Sequence, residues 1–405
     1  MIYLYLSTVL FIGGILIVIW IHSQYHLDIV VKPTPPPTNA PLISVCVPAR
    51  NEERNIRRCV ESILAQDYPN FEVIVLEDRS TDSTAEILRT MESASLLAQG
   101  ALPGSKKHAL AGGPSLQIIT GADLPAGWAG KPHALFQAAN AARGKWLCFV
   151  DADTFLSSAT LSSCYAEAIK THADMFTIMT FQVLGSFWEK AVMPIVMSAM
   201  SVGFSPRRVN DPKHRDAIAN GQFILIKRAT YDAIGGHERV KDQIVEDKAI
   251  SEQAKWNGYR LVVADGYSVA RTRMYTSLPE MWEGWTKNVY LGLSDRPSLL
   301  WLGAFGVFIL TVAALVLPLW PLLGIFWYLQ GGSWLAATII LEALALWAII
   351  LYARARVAIE MGIAPWYAFT LPLGAAVFAA IMFASTWKVL SGKGVAWKGR
   401  TYKPK

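Results

Sequence analysis

The chain has 405 residues, of which 53% are hydrophobic and only 17% are charged, so it is more apolar than an ordinary soluble protein. Its formal net charge of +6 is modest and gives no reason to expect a nucleic-acid partner. The cysteines have no CxxC spacing, which argues against a zinc site or a disulfide framework and favours buried free thiols at Cys46, Cys59, Cys148 and Cys164.

The start of the chain predicts an N-terminal transmembrane anchor over residues 1–22. The apolar run from Ile2 to Ile21 is long enough to cross a bilayer core of roughly 30 Å. It has no basic flank before it and no small-residue cleavage site after it, which favours an anchor that is retained. A Pro-rich linker follows at 23–41, and its "KPTPPPTNAP" stretch predicts a semi-rigid spacer.

The next segment, residues 42–276, alternates between short apolar runs and helical periods. The apolar runs predict strands at 43–47, 71–76, 116–119 and 146–150, and the helical periods lie at 56–64, 83–91 and 132–142. This alternation predicts an α/β fold with a mostly parallel sheet and helices on both faces. A Gly-rich loop at 100–114 interrupts the pattern and is expected to be mobile.

Acidic side chains follow three of the four predicted strands. They are Glu52 after the first strand, Glu77, Asp78 and Asp82 after the second, and Asp151 and Asp153 after the fourth. One acidic turn is typical of a solvated loop, but the carboxyl ends of parallel strands meet at one crevice. Three such turns therefore indicate a site, in which carboxylates hold Mg²⁺ or Mn²⁺ against a diphosphate.

Two further residues have more than one interpretation from the sequence alone. Asp78 suits a hydrogen bond from the imide of a nucleobase. Lys131, in "GWAGKP", suits a phosphate group, but a solvated lysine at the start of a helix is an equally good interpretation.

Four motifs in this order carry a resemblance to a known family. They are "VPARNEERNIRRCVESILAQDYPNFEVIVLEDRSTDST", "LPAGWAGKPHAL", "FVDADT" and "VEDKAIS". Over roughly residues 43–290 the chain resembles the family 2 glycosyltransferases, which have the GT-A fold. The flanking apolar segments and the closing "GVAWKGRTY" resemble the subgroup of hopene-associated and carotenoid glycosyltransferases.

The resemblance implies a role for each matching residue. Asp151 and Asp153 match the DxD motif, with Asp153 as the main metal ligand and Asp151 shared between metal and nucleotide. A nucleotide-diphosphate sugar, with a UDP-sugar favoured, is expected to bind at Pro48, Ala49, Arg50, Glu52, Asp78 and Lys131.

Asp247 in "VEDK" matches the catalytic base of an inverting transfer, in which an acceptor hydroxyl displaces the nucleoside diphosphate in one step. Glu246 stands beside it as a second catalytic candidate. The alternative for both is a charged first turn of a helix, which the helix dipole favours.

Two apolar segments point to a lipid-like acceptor. Ser186–Phe204 is expected to be interrupted by Pro194 and is either an interfacial or an internal packing helix. The segment 277–298 predicts an amphipathic interfacial element in which Trp282 and Trp285 suit the headgroup layer. Gly221 in "ANGQF" allows close backbone approach on the acceptor side, or marks a strand-edge turn.

The C-terminal region, 299–388, contains three apolar stretches, at 299–329, 334–353 and 366–387. Because nucleotide sugars are cytosolic, we expect a multi-pass protein of the cell membrane with its catalytic domain in the cytosol. A break at Pro372 and Gly374 is expected to make the last stretch re-entrant or interfacial.

The last segment is a basic tail, 389–405, expected to be cytosolic. It either lies on the membrane or folds back so that Trp397 and Arg400 reach the acceptor or phosphate side.

Two other functions stay open. A polysaccharide synthase of the same family is disfavoured because the QxxRW motif of processive enzymes is absent from "PEMWEGWTKN". A non-catalytic membrane scaffold is disfavoured because Asp151, Asp153 and Asp247 are all present.

Overall fold

The computed structural model describes residues 2–24, 27–98, 114–293, 306, 312, 319–331, 334–391, 395–397 and 400–402. The Gly-rich loop predicted at 100–114 lies outside this part of the chain, apart from Pro114. The strands are β1 (Ile43–Ala49), β2 (Phe71–Glu77), β3 (Ser115–Thr120), β4 (Trp146–Phe149), β5 (Thr154–Leu156), β6 (Met175–Met179), β7 (Phe181–Gln182), β8 (Ile224–Lys227), β9 (Leu261–Asp265), β10 (Ala270–Thr272), β11 (Val395–Trp397) and β12 (Arg400–Tyr402).

The helices of the first half are α1 (Ile2–Gln24), α2 (Ile56–Leu64), α3 (Thr84–Ala98), α4 (Gly130–Ala141), α5 (Thr160–Lys170), α6 (Phe187–Gly203) and α7 (Pro206–Asn210). Those that follow are α8 (Arg228–Ala233), α9 (Gly236–Arg239), α10 (Glu246–Trp256), α11 (Leu278–Leu293), α12 (Trp320–Leu329), α13 (Trp334–Glu360), a 3₁₀ helix (Pro365–Thr370) and α14 (Leu371–Leu390).

The central sheet has seven strands in the order β3-β2-β1-β4-β8-β6-β9. Strands β3, β2, β1 and β4 are parallel neighbours, whereas β8 runs antiparallel to both β4 and β6. The predicted α/β fold with a mostly parallel sheet is therefore confirmed, and all four predicted strands are present. The ends of β1, β2 and β4 meet at one edge, as the acidic turns required.

Helices cover both faces of this sheet because side chains alternate along each strand. Val45 and Val47 of β1 pack against α2, α3 and α5, and Cys46 between them faces the α4 side. All four cysteines are buried free thiols, as expected. A separate sheet of three short strands, β5-β10-β7, lies beside the main one.

The Pro-rich linker lies along the domain over much of its length. Val31 is only 1% exposed, and its backbone N–H donates to the carbonyl of Asp265 at the end of β9 over 2.8 Å. The Thr34 N–H donates to the Ser163 hydroxyl at 2.9 Å. These contacts anchor the linker to the sheet edge rather than extending it as a spacer.

Helix α6 runs through Pro194, so the predicted interruption does not occur. It begins with a capping box between Ser186 and Glu189. Pro194 has no N–H to donate to the Lys190 carbonyl four residues earlier, and Arg354 of α13 donates to that carbonyl instead, at 3.3 Å. A long-range contact thus satisfies the group that proline leaves open.

Helices α6, α11 and α14 pack together in one apolar cluster. Its buried members include Met193 of α6, Trp285 of α11 and Phe378 of α14. Gly374 is required here, because a Cβ at this position would lie 2.3 Å from the Ala191 carbonyl oxygen. Helix α14 runs through Gly374 without a break, and Pro372 lies in its first turn, directly after the 3₁₀ helix that ends at Thr370. A re-entrant or interfacial last stretch stays a prediction.

Two helical stretches are long and apolar enough to cross a bilayer, Ala336–Glu360 and Pro365–Lys388. In α1 the apolar window is shorter, Ser7–Ile21. Helix α1 lies against α13, where Thr8 donates a 2.8 Å hydrogen bond to Glu342. The membrane anchor predicted for residues 1–22 stays a prediction, as do the other domain boundaries.

The described part of the basic tail is a hairpin. Strands β11 and β12 pair antiparallel, and the hairpin lies against α11. The tail therefore folds back onto a helix of the protein. The side chains of Trp397 and Arg400 are outside the described part of the structure.

Candidate active site

The loops after β1 and β2 are held together at the sheet edge. The Arg50 guanidinium donates to the backbone carbonyls of Asp78, at 2.6 Å, and Arg79, at 3.1 Å. The Asn51 side-chain oxygen accepts from the Thr81 N–H at 2.8 Å. Asn51 and Arg79 both have positive φ angles, 52° and 54°, a conformation that these cross-links maintain.

The residues predicted to bind the nucleotide are brought together by these two loops. Ala49 ends β1, directly after Pro48, and its carbonyl accepts from the Asp78 N–H at 2.8 Å. Asp78 is 6% exposed. The Glu52 N–H donates to the Thr84 hydroxyl at 2.8 Å, which fixes the loop that carries this carboxylate.

Lys131 lies between two of the predicted catalytic-site acids. It stands in the first turn of α4, and its Nζ is 2.7 Å from Asp151 Oδ1 and 2.7 Å from Glu246 Oε1. Asp151 follows β4, and Glu246 begins α10. A lysine from a third element thus joins the DxD segment to the "VED" segment, while 35% of its side chain stays exposed.

Asp247 is fixed by two backbone N–H groups. Gly221 donates to its Oδ2 at 3.0 Å, and Lys248 donates to its Oδ1 at 2.8 Å. A Cβ on Gly221 would lie 3.1 Å from Asp247 Oδ2, 3.1 Å from Lys131 Nζ and 3.4 Å from Asp151 Oδ2. Gly221 is therefore the point on which these three side chains converge.

The charges of this cluster shift the protonation of its members. Burial, reinforced by the negative charge of Glu246, raises the pKa of Asp247 to about 6. Burial acts to raise the pKa of Glu246 as well, but the neighbouring Lys131 cation outweighs it and lowers that pKa. Glu246 is thus a permanent counter-ion, whereas Asp247 is a carboxylate with increased proton affinity.

Asp153 is the second aspartate of the DxD segment. Its negative charge acts on the buried thiol of Cys59 and on the phenol of Tyr275, and burial raises the pKa of both groups. Among the described residues, no group of three or more His, Cys, Asp or Glu side chains is arranged to hold a metal ion. Asp151 and Asp153 nevertheless fit Mg²⁺ or Mn²⁺, which proteins often bind through one or two carboxylates together with substrate phosphates.

The acceptor-side tryptophans differ from the expectation. Trp285 is 5% exposed, and its indole N–H points at the Met193 sulfur at 3.4 Å, so it packs inside the helix cluster rather than facing a headgroup layer. Trp282 packs at the border of the same cluster. Both residues therefore link α11 to α6 and α14.

Two residues near the site have no role in the sequence analysis. Lys287 of α11 is close enough to be affected by Glu246, Asp247 and Asp151, and burial lowers its pKa to about 8. His237 of α9 is 2% exposed and lines the cleft below Lys131. The paired glycines before it in "GGHE" are the only sequence signal that marks the position.

A cleft lies within this cluster, with about 230 Å³ of empty space when the open solvent at its mouth is included. Both charged and apolar side chains line it. Its lining includes Lys131, Asp151 and Asp247, together with Leu135, Phe149 and His237.

Comparisons with known proteins agree with this architecture. The model of the glycosyl transferase family 2 matches residues 44–235. A 4,4'-diaponeurosporenoate glycosyltransferase of Staphylococcus aureus (strain USA300) is 26% identical over 258 residues, which is 63% of this chain and 62% of that enzyme. The chain therefore aligns with less than two thirds of that relative's length.

A similar fold is found in a solved structure, the mannosyltransferase PcManGT from Pyrobaculum calidifontis in complex with GDP-Man and Mn²⁺. It has a TM-score of 0.50 and 18% sequence identity, and the match covers 96% of this chain and 97% of that chain. At this identity the likeness shows the fold alone.

The fold is GT-A-like, and the matched family model marks residues 44–235 as a glycosyl transferase family 2 domain. This range contains three of the four motifs that carry the resemblance, and the fourth, "VEDKAIS", follows it. Within that class the chain is similar to a carotenoid glycosyltransferase.

Proposed function

We propose that the protein transfers a sugar, with inversion, from a nucleotide-diphosphate sugar to a lipid-like acceptor at a membrane. The carrying observation is the cluster around Gly221, where a base candidate, Asp247, and a cation, Lys131, converge beside the DxD segment. A scaffold that had lost catalysis would have no need to keep buried charges in such an arrangement.

The donor is proposed to bind across the loops after β1, β2 and β4. Asp78 and Arg50 are proposed to contact the nucleoside, together with Glu52, whose negative charge acts on Asp151. A Mg²⁺ or Mn²⁺ ion held by Asp153 and Asp151 would neutralise the negative charge of the leaving diphosphate. Lys131 is placed to supply a further positive charge there when Asp151 engages the ion.

The proton of the acceptor hydroxyl is proposed to pass to Asp247. Each of its oxygens accepts one backbone N–H, which fixes the carboxylate plane and leaves lone pairs for the acceptor. A pKa of about 6 keeps this group mostly ionised at neutral pH and makes it a better base than an ordinary aspartate. Glu246 holds Lys131 in place and is proposed to act through it.

The acceptor is proposed to approach from the cluster of α6, α11 and α14. The cluster is apolar and Met-rich, it lies beside Tyr275, and α14 is itself long and apolar enough to cross a bilayer. The relative from Staphylococcus aureus is a diaponeurosporenoate glycosyltransferase, so an extended apolar acceptor is a consistent choice. Gly221 lies where the acceptor oxygen would meet Asp247.

The orientation follows from the donor. Because nucleotide sugars are cytosolic, we propose a multi-pass protein of the cell membrane whose catalytic domain and basic tail are in the cytosol. The described hairpin at the tail lies against α11, a contact that is consistent with a tail on the same side of the membrane as that helix's catalytic-domain neighbours.

The test uses membranes that contain the full-length wild type and, as a matched control, Asp247→Asn. Each is incubated with Mn²⁺ and labelled UDP-glucose, UDP-galactose, UDP-N-acetylglucosamine or GDP-mannose, and the lipid extract is separated by thin-layer chromatography. We expect a labelled lipid from the wild type and a loss of about 100-fold or more in Asp247→Asn. Labelled insoluble polymer would contradict the lipid acceptor, and equal activity of both proteins would contradict the base assignment.

A further inference from the structure

The side chains of Tyr231 and His237 form a rigid pair below the catalytic cluster. The Tyr231 hydroxyl is 3.0 Å from His237 Nδ1, and the same hydroxyl accepts from the His237 backbone N–H at 3.1 Å. The imidazole also meets the Phe149 ring edge-on, with 4.8 Å between the ring centres. The ring thus has one orientation.

Glycine at position 236 makes this pair possible. Its φ is +51°, and a Cβ there would lie 2.5 Å from the Tyr231 ring. The chain reverses at Gly235 and Gly236 so that the Tyr231 hydroxyl can reach both the backbone and the ring of His237. An L side chain at position 236 would therefore separate the two groups.

The hydrogen bonds define which nitrogen of His237 carries the proton. The Tyr231 oxygen already accepts from a backbone N–H, and the hydroxyl proton has no acceptor among the described residues other than His237 Nδ1. Nδ1 is therefore the acceptor, and the proton of the neutral ring is on Nε2. Burial, assisted by the nearby Lys131 cation, lowers the pKa of His237 to about 3, so the ring stays neutral.

The Nε2–H group has no hydrogen-bond acceptor among the residues that the structure describes. His237 is only 2% exposed, yet it lines the cleft that Lys131, Asp151, Gly221 and Asp247 also line. Because this N–H is not sealed away from the cleft, it can donate to a molecule that binds there.

The chemistry of the cleft selects the kind of group that binds there. A neutral donor suits a neutral hydroxyl, and the charged diphosphate is better matched by Lys131 and a metal ion. Leu135, Phe149 and Ile224 provide apolar walls, against which the C–H face of a sugar ring can pack.

We propose that His237 is a specificity-determining residue of the donor site, whose Nε2–H donates a hydrogen bond to a hydroxyl group of the transferred sugar. This inference rests on the proposed function, because it requires a nucleotide-sugar donor. Tyr231 is a positioning residue in this arrangement, since it fixes the ring and its protonation without touching the sugar.

The test compares binding of a nucleotide sugar with binding of its free nucleoside diphosphate. Calorimetry with Mn²⁺ measures both for UDP-glucose, UDP-galactose, UDP-N-acetylglucosamine and GDP-mannose in full-length wild type, His237→Phe, His237→Gln and Tyr231→Phe. In His237→Phe we expect the preference for the best sugar over its free diphosphate to fall about tenfold, with the diphosphate affinity within about twofold of the wild type.

Two comparisons separate recognition from packing. His237→Gln keeps an N–H donor and should retain most of the preference, while Tyr231→Phe should lose part of it. Among the 3-, 4- and 6-deoxy analogues of the best donor, one should bind about tenfold more weakly than the parent to the wild type. His237→Phe should show no further loss with that analogue, and this comparison needs no assumption about which hydroxyl is involved.

The outcomes distinguish the two proposals. The role of His237 alone would be overturned if His237→Phe kept the wild-type preference for the nucleotide sugar over its free diphosphate. This includes the case in which both affinities fall equally. A wild type that binds none of the four nucleotide sugars would overturn the proposed function, and this inference with it. Should His237→Phe fail to fold, Tyr231→Phe with the same analogues gives the answer.

Discussion

The substitution Gly221→Ala tests whether the convergence of side chains at this residue matters for catalysis. The added Cβ would lie 3.1 Å from both Asp247 Oδ2 and Lys131 Nζ, and 3.4 Å from Asp151 Oδ2. Contacts at 3.1 Å are tighter than most carbon contacts in proteins, so the two side chains must withdraw by a few tenths of an ångström. Gly221 does not have a positive φ, so alanine adds no backbone strain.

The size of the effect follows from the bonds that this movement weakens. They are the 3.0 Å bond from Gly221 N–H to Asp247 and the 2.7 Å contacts of Lys131 with Asp151 and Glu246. Charge-assisted hydrogen bonds contribute about 1.5–3 kcal/mol each, and partial loss of alignment should cost the transition state about 1.4–2.8 kcal/mol. The expected fall in kcat is therefore about 10-fold to 100-fold.

The assay is the initial rate of sugar transfer at saturating donor, together with the thermal midpoint of unfolding. Gly203→Ala is the matched control, because no atom lies within 4 Å of the Cβ position at the end of α6. We expect Gly221→Ala to retain a midpoint near that of the wild type and the control to retain full activity. If kcat for Gly221→Ala stays within about twofold of the wild type, the cluster is not the catalytic centre.

Three other predictions address the base, the metal and the tail. Because burial and Glu246 raise the pKa of Asp247 to about 6, its base form is lost as the pH falls, so kcat/KM should drop about tenfold per pH unit below that value; a limb near the ordinary carboxyl pKa would contradict this. Asp153→Ala should abolish transfer and weaken Mn²⁺-dependent binding of the nucleoside diphosphate in calorimetry, and wild-type affinity would exclude Asp153 as the main ligand. Arg400→Lys keeps the charge but not the two-pronged guanidinium, so activity should fall sharply while membrane association is unchanged; unchanged activity would favour a tail that only attracts phospholipid, and labelling of residue 400 from outside the cell would contradict a cytosolic tail.

Much of the catalytic domain was predictable from local patterns in the sequence. Short apolar runs such as 71–76 form strands because a strand buried on both faces must be apolar throughout, and β2 is buried at all seven positions. The acidic turns after these strands were expected to meet, since parallel strands bring their carboxyl ends to one edge. Asp151, Glu246 and Asp247 do lie around one point, although their role in transfer stays a prediction.

The sequence was misleading where a distant contact offsets a local preference. Pro194 predicts a helix break, but Arg354 lies 160 residues further along the chain and supplies the donor that the Lys190 carbonyl lacks. Tryptophan is typical of membrane interfaces, but Trp285 is enclosed by α6 and α14. Nothing in the sequence near Pro194 or Trp285 predicts these distant contacts.

The sequence by itself determined the α/β fold, the four parallel strands β1 to β4 with the helices between them, and the acidic motifs at the strand ends. Only the tertiary structure decided that Lys131 joins Asp151 to Glu246, that Gly221 is the point of convergence, and that His237 lies against the same cleft. The physical reason is that periodicity and motifs record what each segment does alone. Ion pairs, buried protonation states and cleft walls arise between segments, and they exist only after the chain has packed.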